Sequence, residues 1–216
     1  MVHSNWSRDS CAAANDLQTV CSVFAQQGLV LPFSPLFCRS SSLHAAAGSL
    51  APPNTTVSLF DCATPGTLPV INTSAVRLAV LASLLLKCKV NSVSSFDRKH
   101  YFYSDLPHGF QITQQRLPIA ERGEVRIPGS CVQVQRVQLE MDSGKMMHDR
   151  HAFASLVNLN RAGMALIEIV SAPDMCNSVQ ASAYAKTVQQ LLRHVRSLLS
   201  MFACPGPPKR LTAPNR

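Results

Sequence analysis

The hexapeptide Ala165-Leu166-Ile167-Glu168-Ile169-Val170 sets one carboxylate among five apolar residues. Apolar side chains at both parities predict a strand that is covered on both faces. An ionised glutamate in such a strand is strongly disfavoured unless it is paired, hydrogen-bonded or bound to a cation. The fold must therefore build something around Glu168. Arg161, seven residues upstream, offers a structural salt bridge. The sharper alternative is a Mg²⁺ or catalytic role, because functional sites gather perturbed carboxylates.

A second strand pattern supplies a companion. In "VQVQRVQLEMDSGKMMH" (132–148), Val132 and Val134 alternate with glutamines, and Val137, Leu139 and Met141 continue the alternation with a phase change near Arg136. Gln138, Glu140 and Asp142 then share one strand face, where carboxylates roughly 7 Å apart can hold a hard cation. A solvated strand edge explains the same residues equally well. Ser143-Gly144-Lys145 follows as a turn with a cation beside it. His148 and His151 have no cysteine or acidic partner at zinc spacing and read as loop residues.

The rest of the chain narrows the class of fold and function. Its 216 residues are 46% hydrophobic and 15% charged, which suits one globular core with appendages. A formal charge of +8 favours a polyanionic partner. Eight scattered cysteines without a C-x-x-C pair argue against a zinc knuckle or redox dithiol and for reduced, mostly buried thiols. The longest apolar run, 75–86, is too short to span a membrane. Only Arg8 is strongly basic in the first 28 residues, a poor match to a transit peptide and not a secretory signal. There is no Walker loop, no G-x-G-x-x-G and no G-x-S-x-G.

The expected organisation is a poorly ordered segment over 1–33, a domain over 34–202 and a Pro-rich basic tail over 203–216. The fold class is α+β, with a mixed, mainly antiparallel sheet from about 54 to 172. Residues 49–72, punctuated by Pro and Gly, suggest short strands joined by turns. A helix over 75–88 follows a Ser74 cap candidate, and a second, over 178–202, is capped by Asn177 or Ser178. Its apolar positions Val188, Leu191, Leu192, Val195, Leu198, Leu199 and Phe202 follow helical spacing. Rings and cations crowd into "FDRKHYFYSDLPHGFQIT" (96–113) around what reads as a tight turn.

These stretches, together with "SPLFC", "PPNTTVSLFDCATPGTLPVIN", "QLEMDSGKMMHD" and "LNRAGMALIEIVSAPD", resemble the B subunit of the aspartyl/glutamyl-tRNA amidotransferase over residues 34–195, in one collinear order. The wording "RKHYFY" and "QITQQRLPIA" is closer to the mitochondrial form. The resemblance implies a glutamine-synthetase-like cradle domain that uses ATP and Mg²⁺ to phosphorylate the Glu of misacylated Glu-tRNA(Gln), then replaces the phosphate with ammonia. It implies an amidase subunit that frees ammonia from glutamine, a small third subunit that holds the complex together, and work in the mitochondrial matrix.

Carried over by position, Glu140 and Glu168 match the family's acidic metal and nucleotide residues, with Lys145 and Arg161 as nucleotide contacts. Arg98, Lys99 and His100 can meet tRNA phosphates, and Tyr101 and Tyr103 can stack on bases of the acceptor end. Ordinary strand packing is the rival reading for the rings. The family's opening Gly-Leu-Glu-x-His motif is not matched: Gly28-Leu29 is followed by Val30-Leu31-Pro32. With that Glu and His missing, and the family's C-terminal regions unmatched, the chain reads as a truncated or altered form. Two functions follow as alternatives. One is a ligase component; the other is a non-catalytic fragment that docks on the amidase subunit or binds RNA.

Overall fold

The computed structural model describes residues 36–37, 52–149 and 154–202. The expected poorly ordered segment, the Gly28-Leu29 departure, His151 and the tail lie outside them. Ten elements follow in order: α1 (Thr73–Leu85), β1 (Lys89–Val90), β2 (Asp97–His100), β3 (Phe110–Thr113), β4 (Ala120–Ile127), β5 (Ser130–Met141), β6 (Lys145–Asp149), β7 (Ala154–Asn158), β8 (Ala165–Ser171) and α2 (Ser178–Phe202). The central sheet runs β1-β4-β5-β8, and β2-β3 and β6-β7 form separate two-stranded sheets. Every described pairing is antiparallel, so the architecture is α+β as expected, without the parallel strands of a mixed sheet.

Among the described residues strand structure begins at β1, not near residue 54. Residues 52–72 are turns and irregular chain. Prolines at 52, 53, 65 and 69 remove backbone donors, and local bonds such as Cys62 N–H to the Ser58 carbonyl (3.0 Å) compete with a ladder. The cap of α1 also differs from expectation. Asn72 occupies it, its side-chain oxygen accepting from Ser74 N–H at 3.0 Å. Replacing Asn72 with Ala is expected to destabilise the protein by about 1 kcal/mol, read as a lower denaturant midpoint at unchanged slope. For α2, Asn177 is the cap, accepting from Gln180 N–H at 2.9 Å.

Both helices pack on the central sheet. Leu78, Ala79 and Ala82 of α1 and Tyr184, Leu192 and Val195 of α2 join Val132, Val134, Val137, Leu139 and Met141 of β5 in one core. Leu36 is fully buried and ties this core to the chain before β8: its N–H donates to Gly163 O, and its carbonyl accepts from Asn72 N–H. Of the described cysteines only Cys88 is buried, while Cys62, Cys131 and Cys176 are exposed, against the expectation of mostly buried thiols. His148 lies in β6 rather than a loop. Among the described residues no helix is long and apolar enough to cross a membrane.

Candidate active site

A bulge in β5 builds the site. Val134 pairs with Ser171 but Arg136 with Val170, so β5 spends two residues where β8 spends one. Val132 and Val134 face the core before the bulge, and Val137, Leu139 and Met141 after it. Without the extra residue, Arg136, Gln138 and Glu140 would continue the parity of Val134 and point into the core. The phase change visible near Arg136 is this bulge.

On the far face, Gln138 lies opposite Glu168 of β8, and Glu140 follows two residues on. The β2-β3 hairpin covers them. Leu139 N–H donates to Gln114 Oε1 (2.8 Å), and Gln111 Nε2 donates to the Met141 carbonyl (2.8 Å), pinning β3 and its end against β5. Thr113 Oγ1 accepts from Gln138 Nε2 at 3.1 Å, and Tyr101 Oη donates to Gln111 Oε1 at 2.6 Å. Glu168 is half-buried: Ala165, Ile167 and Ile169 fill the core side, while on the other side Val170 is buried and Leu166 and Glu168 are partly so.

Burial, with a hydrogen bond to Glu168 and repulsion from it, pushes the Glu140 carboxyl up to about 8. Lys99 and the Gln138 amide act in the opposite direction. Near neutral pH Glu140 thus keeps its proton, within hydrogen-bond reach of Glu168. The Tyr101 phenol is raised by burial and by Glu140. Lys99 and Tyr101, expected on the nucleic-acid surface, therefore stand within the electrostatic reach of the carboxylates.

This makes a pH prediction with a definite sign. The folded protein keeps a proton on Glu140 between about pH 4.5 and 8 that the unfolded chain has already lost. Stability is fullest below that window and falls as pH rises through it. Glu140→Gln removes the titration. Since the side chain is only partly shielded from solvent, we expect a gain of about 1–2 kcal/mol at pH 8, shrinking to nothing near pH 4. Denaturant unfolding at both pH values measures it, and a pH-independent gain would rule out the raised Glu140 carboxyl.

The other expected site residues divide. Arg161 pairs with Asp142, not Glu168. Asp142 thus turns to the Arg161 loop instead of standing beside Glu140, although burial still raises its carboxyl. Lys145 opens β6, in a separate hairpin. Arg98 is exposed, its guanidinium 4.7 Å from the Phe110 ring centre, and His100 lies beside the same ring at 5.9 Å. The turn is longer than expected, spanning 101–109. Within it, Phe102 is 89% exposed and Tyr103 61%, so neither is packed as an ordinary strand residue. Residues not singled out for the site include Thr113, Gln111 and Arg136. The sequence signal was present in "QITQQ" and "VQVQRVQLE", where glutamines and Thr sit at strand positions that one covered face would bury.

Residues 33–201 match the family model described as the GatB/GatE catalytic domain. The chain is 44% identical to the B subunit of the aspartyl/glutamyl-tRNA(Asn/Gln) amidotransferase of Rickettsia prowazekii over 169 residues, covering 76% of this chain and 34% of that protein. It is 48% identical to the B subunit of the human mitochondrial glutamyl-tRNA(Gln) amidotransferase over 155 residues, covering 66% of this chain and 28% of the human protein. The corresponding mitochondrial protein of Aedes aegypti is 49% identical over 158 residues, 68% of this chain and 30% of its own length. The chain spans about a third of the length of these relatives. Identity at this level, carried over three quarters of the sequence, settles its descent: the chain belongs to the GatB/GatE catalytic-domain family, that of the tRNA amidotransferase B subunits.

Proposed function

We propose that the chain supplies the ATP- and Mg²⁺-dependent site of a glutamyl-tRNA(Gln) amidotransferase, an ATP-dependent carbon–nitrogen ligase with glutamine as amide donor. The observation that carries this reading is the pair Glu140 and Glu168, both hydrogen-bonded by the Gln138 amide beneath a basic, aromatic hairpin. Their oxygens are hard donors, and Mg²⁺ is commonly held by one or two carboxylates with substrate phosphates completing its shell. Among the described residues no group of three or more His, Cys, Asp or Glu could hold a metal, and in this reading nucleotide phosphates and water complete the shell. When bound, Mg²⁺ neutralises phosphate charge and orients the transferring group.

The chain's own groups have separate tasks in this reading. Glu140 and Glu168 would hold the cation, and Glu140 would give up its proton to do so. Lys99 lies close enough to bias Glu140 and can meet phosphate oxygens. The exposed rings Phe102 and Tyr103 offer faces for bases of the acceptor end of Glu-tRNA(Gln), with Arg98 and His100 alongside for its backbone. The carboxyl of the misacylated Glu takes phosphate from ATP. Ammonia from the amidase subunit, which the small third subunit holds in the complex, displaces that phosphate. Relatives named as mitochondrial support placement in the mitochondrial matrix.

The two-carboxylate donor set also favours a second reading, a non-catalytic chain that docks on the amidase subunit or binds RNA. ATP hydrolysis by the chain together with the amidase and small third subunits separates the two. Stimulation by Glu-tRNA(Gln) but not by uncharged tRNA supports the ligase. RNA or amidase binding without hydrolysis supports the alternative.

A further inference from the structure

Gln138 is 2% exposed at the centre of the site, yet it has no place in the chemistry above. Its amide nitrogen faces three acceptors: Thr113 Oγ1 at 3.1 Å, Glu140 Oε1 at 3.2 Å, and Glu168 Oε2. Its carbonyl oxygen accepts from Arg136 Nε at 3.2 Å. A primary amide carries only two hydrogens, so three acceptors cannot all be served together. The threonine, whose hydroxyl can rotate and donate in its turn, is the partner best able to yield.

We propose that Gln138 is the positioning residue of the Glu140–Glu168 pair, and that Arg136 fixes its amide with the nitrogen towards the carboxylates. A glutamine amide can turn over by half a rotation. Turned over here, it would set its carbonyl oxygen against the Glu168 carboxylate and its N–H groups against a guanidinium, opposing like with like on both sides. Arg136 and the carboxylates therefore select the same orientation from opposite ends. The β5 bulge places Arg136, Gln138 and Glu140 on one face, so this row depends on it. Arg136 thereby acts on the pair through Gln138.

The binding consequence rests on the proposed nucleotide reading. A carboxylate that turns one oxygen to a cation keeps its other oxygen on an outer donor, and loss of such donors typically lowers metal affinity about 10–100-fold. Gln138→Met keeps length and volume but removes both donors. We expect it to weaken binding of Mn²⁺ with ATP, followed by electron paramagnetic resonance on the full chain, by about 10–100-fold. Arg136→Met should give a smaller loss, and the double variant should be no worse than Gln138→Met alone, because the arginine works through the amide. Unchanged affinity in Gln138→Met, or additive losses in the double variant, overturns the proposal.

A second measurement stands apart from nucleotide binding and from any folding defect of Gln138→Met. In the parent protein the two side-chain N–H signals of Gln138 should be distinct and protected from solvent exchange, and in Arg136→Met they should move towards those of a free amide. If they are indifferent to Arg136, the proposal fails. If they respond while the parent binds no Mn²⁺ with ATP, the nucleotide reading fails and the positioning stands.

Discussion

Glu168→Gln is expected to lower ATP-dependent amide transfer by at least about 100-fold while leaving the fold intact. Gln keeps the size of the side chain and can still hydrogen-bond Gln138, but it supplies no charge to a cation. Two structural facts separate this loss from misfolding. Arg161 is committed to Asp142, so no arginine is stranded when Glu168 becomes neutral. Glu168 also faces Glu140, so its removal takes away a like-charge neighbour. The melting temperature should hold or rise. Transfer is measured with misacylated tRNA, ATP and the amidase and small third subunits, alongside a thermal melt of the same preparation. A variant that melts early would mean that Glu168 is a structural residue, and the metal assignment would fall with it.

Gly163→Ala is expected to have the largest effect on stability, about 3 kcal/mol or more, lowering the melting midpoint by roughly 6–12 °C. Gly163 has φ +76°, in the left-handed region that an L side chain enters only with strain. A Cβ there would also run into the Asp61 carboxylate. That carboxylate cannot easily give way. Asp61 is 2% exposed, accepts from the Ser58 hydroxyl, and is pushed up to about 6 by its burial. The Gly163 carbonyl accepts from Leu36 N–H, and its own N–H donates to the Asp142 carbonyl. Displacing it would loosen the irregular 58–63 segment, the Leu36 anchor and the approach to β8 together. Gly163→Ala melting within about 2 °C of the parent would show that this junction adapts.

Much of this protein was legible in one dimension. The alternation of Val137, Leu139 and Met141, the helical spacing of Val188, Leu192 and Val195 and the N-terminal cap of α2 are local patterns, and local periodicity records which face meets the core. Even the bulge was written as a phase change at Arg136. The burdened position of Glu168 was legible too, because a carboxylate amid apolar residues requires a partner wherever the strand lies. Partner choice was not legible. Arg161 is seven residues from Glu168, yet it pairs with Asp142; Lys99 and Thr113 are far away in sequence, yet the hairpin brings Lys99 within electrostatic reach of Glu140 and Thr113 onto Gln138. Register between β5 and β8, and the seating of β2-β3 over them, depend on the summed packing of the whole sheet. No short stretch of sequence contains that sum. The residues by themselves determined that Glu140 and Glu168 need company; only the tertiary structure decided that they keep it with each other, because desolvation and charge act through space rather than along the chain.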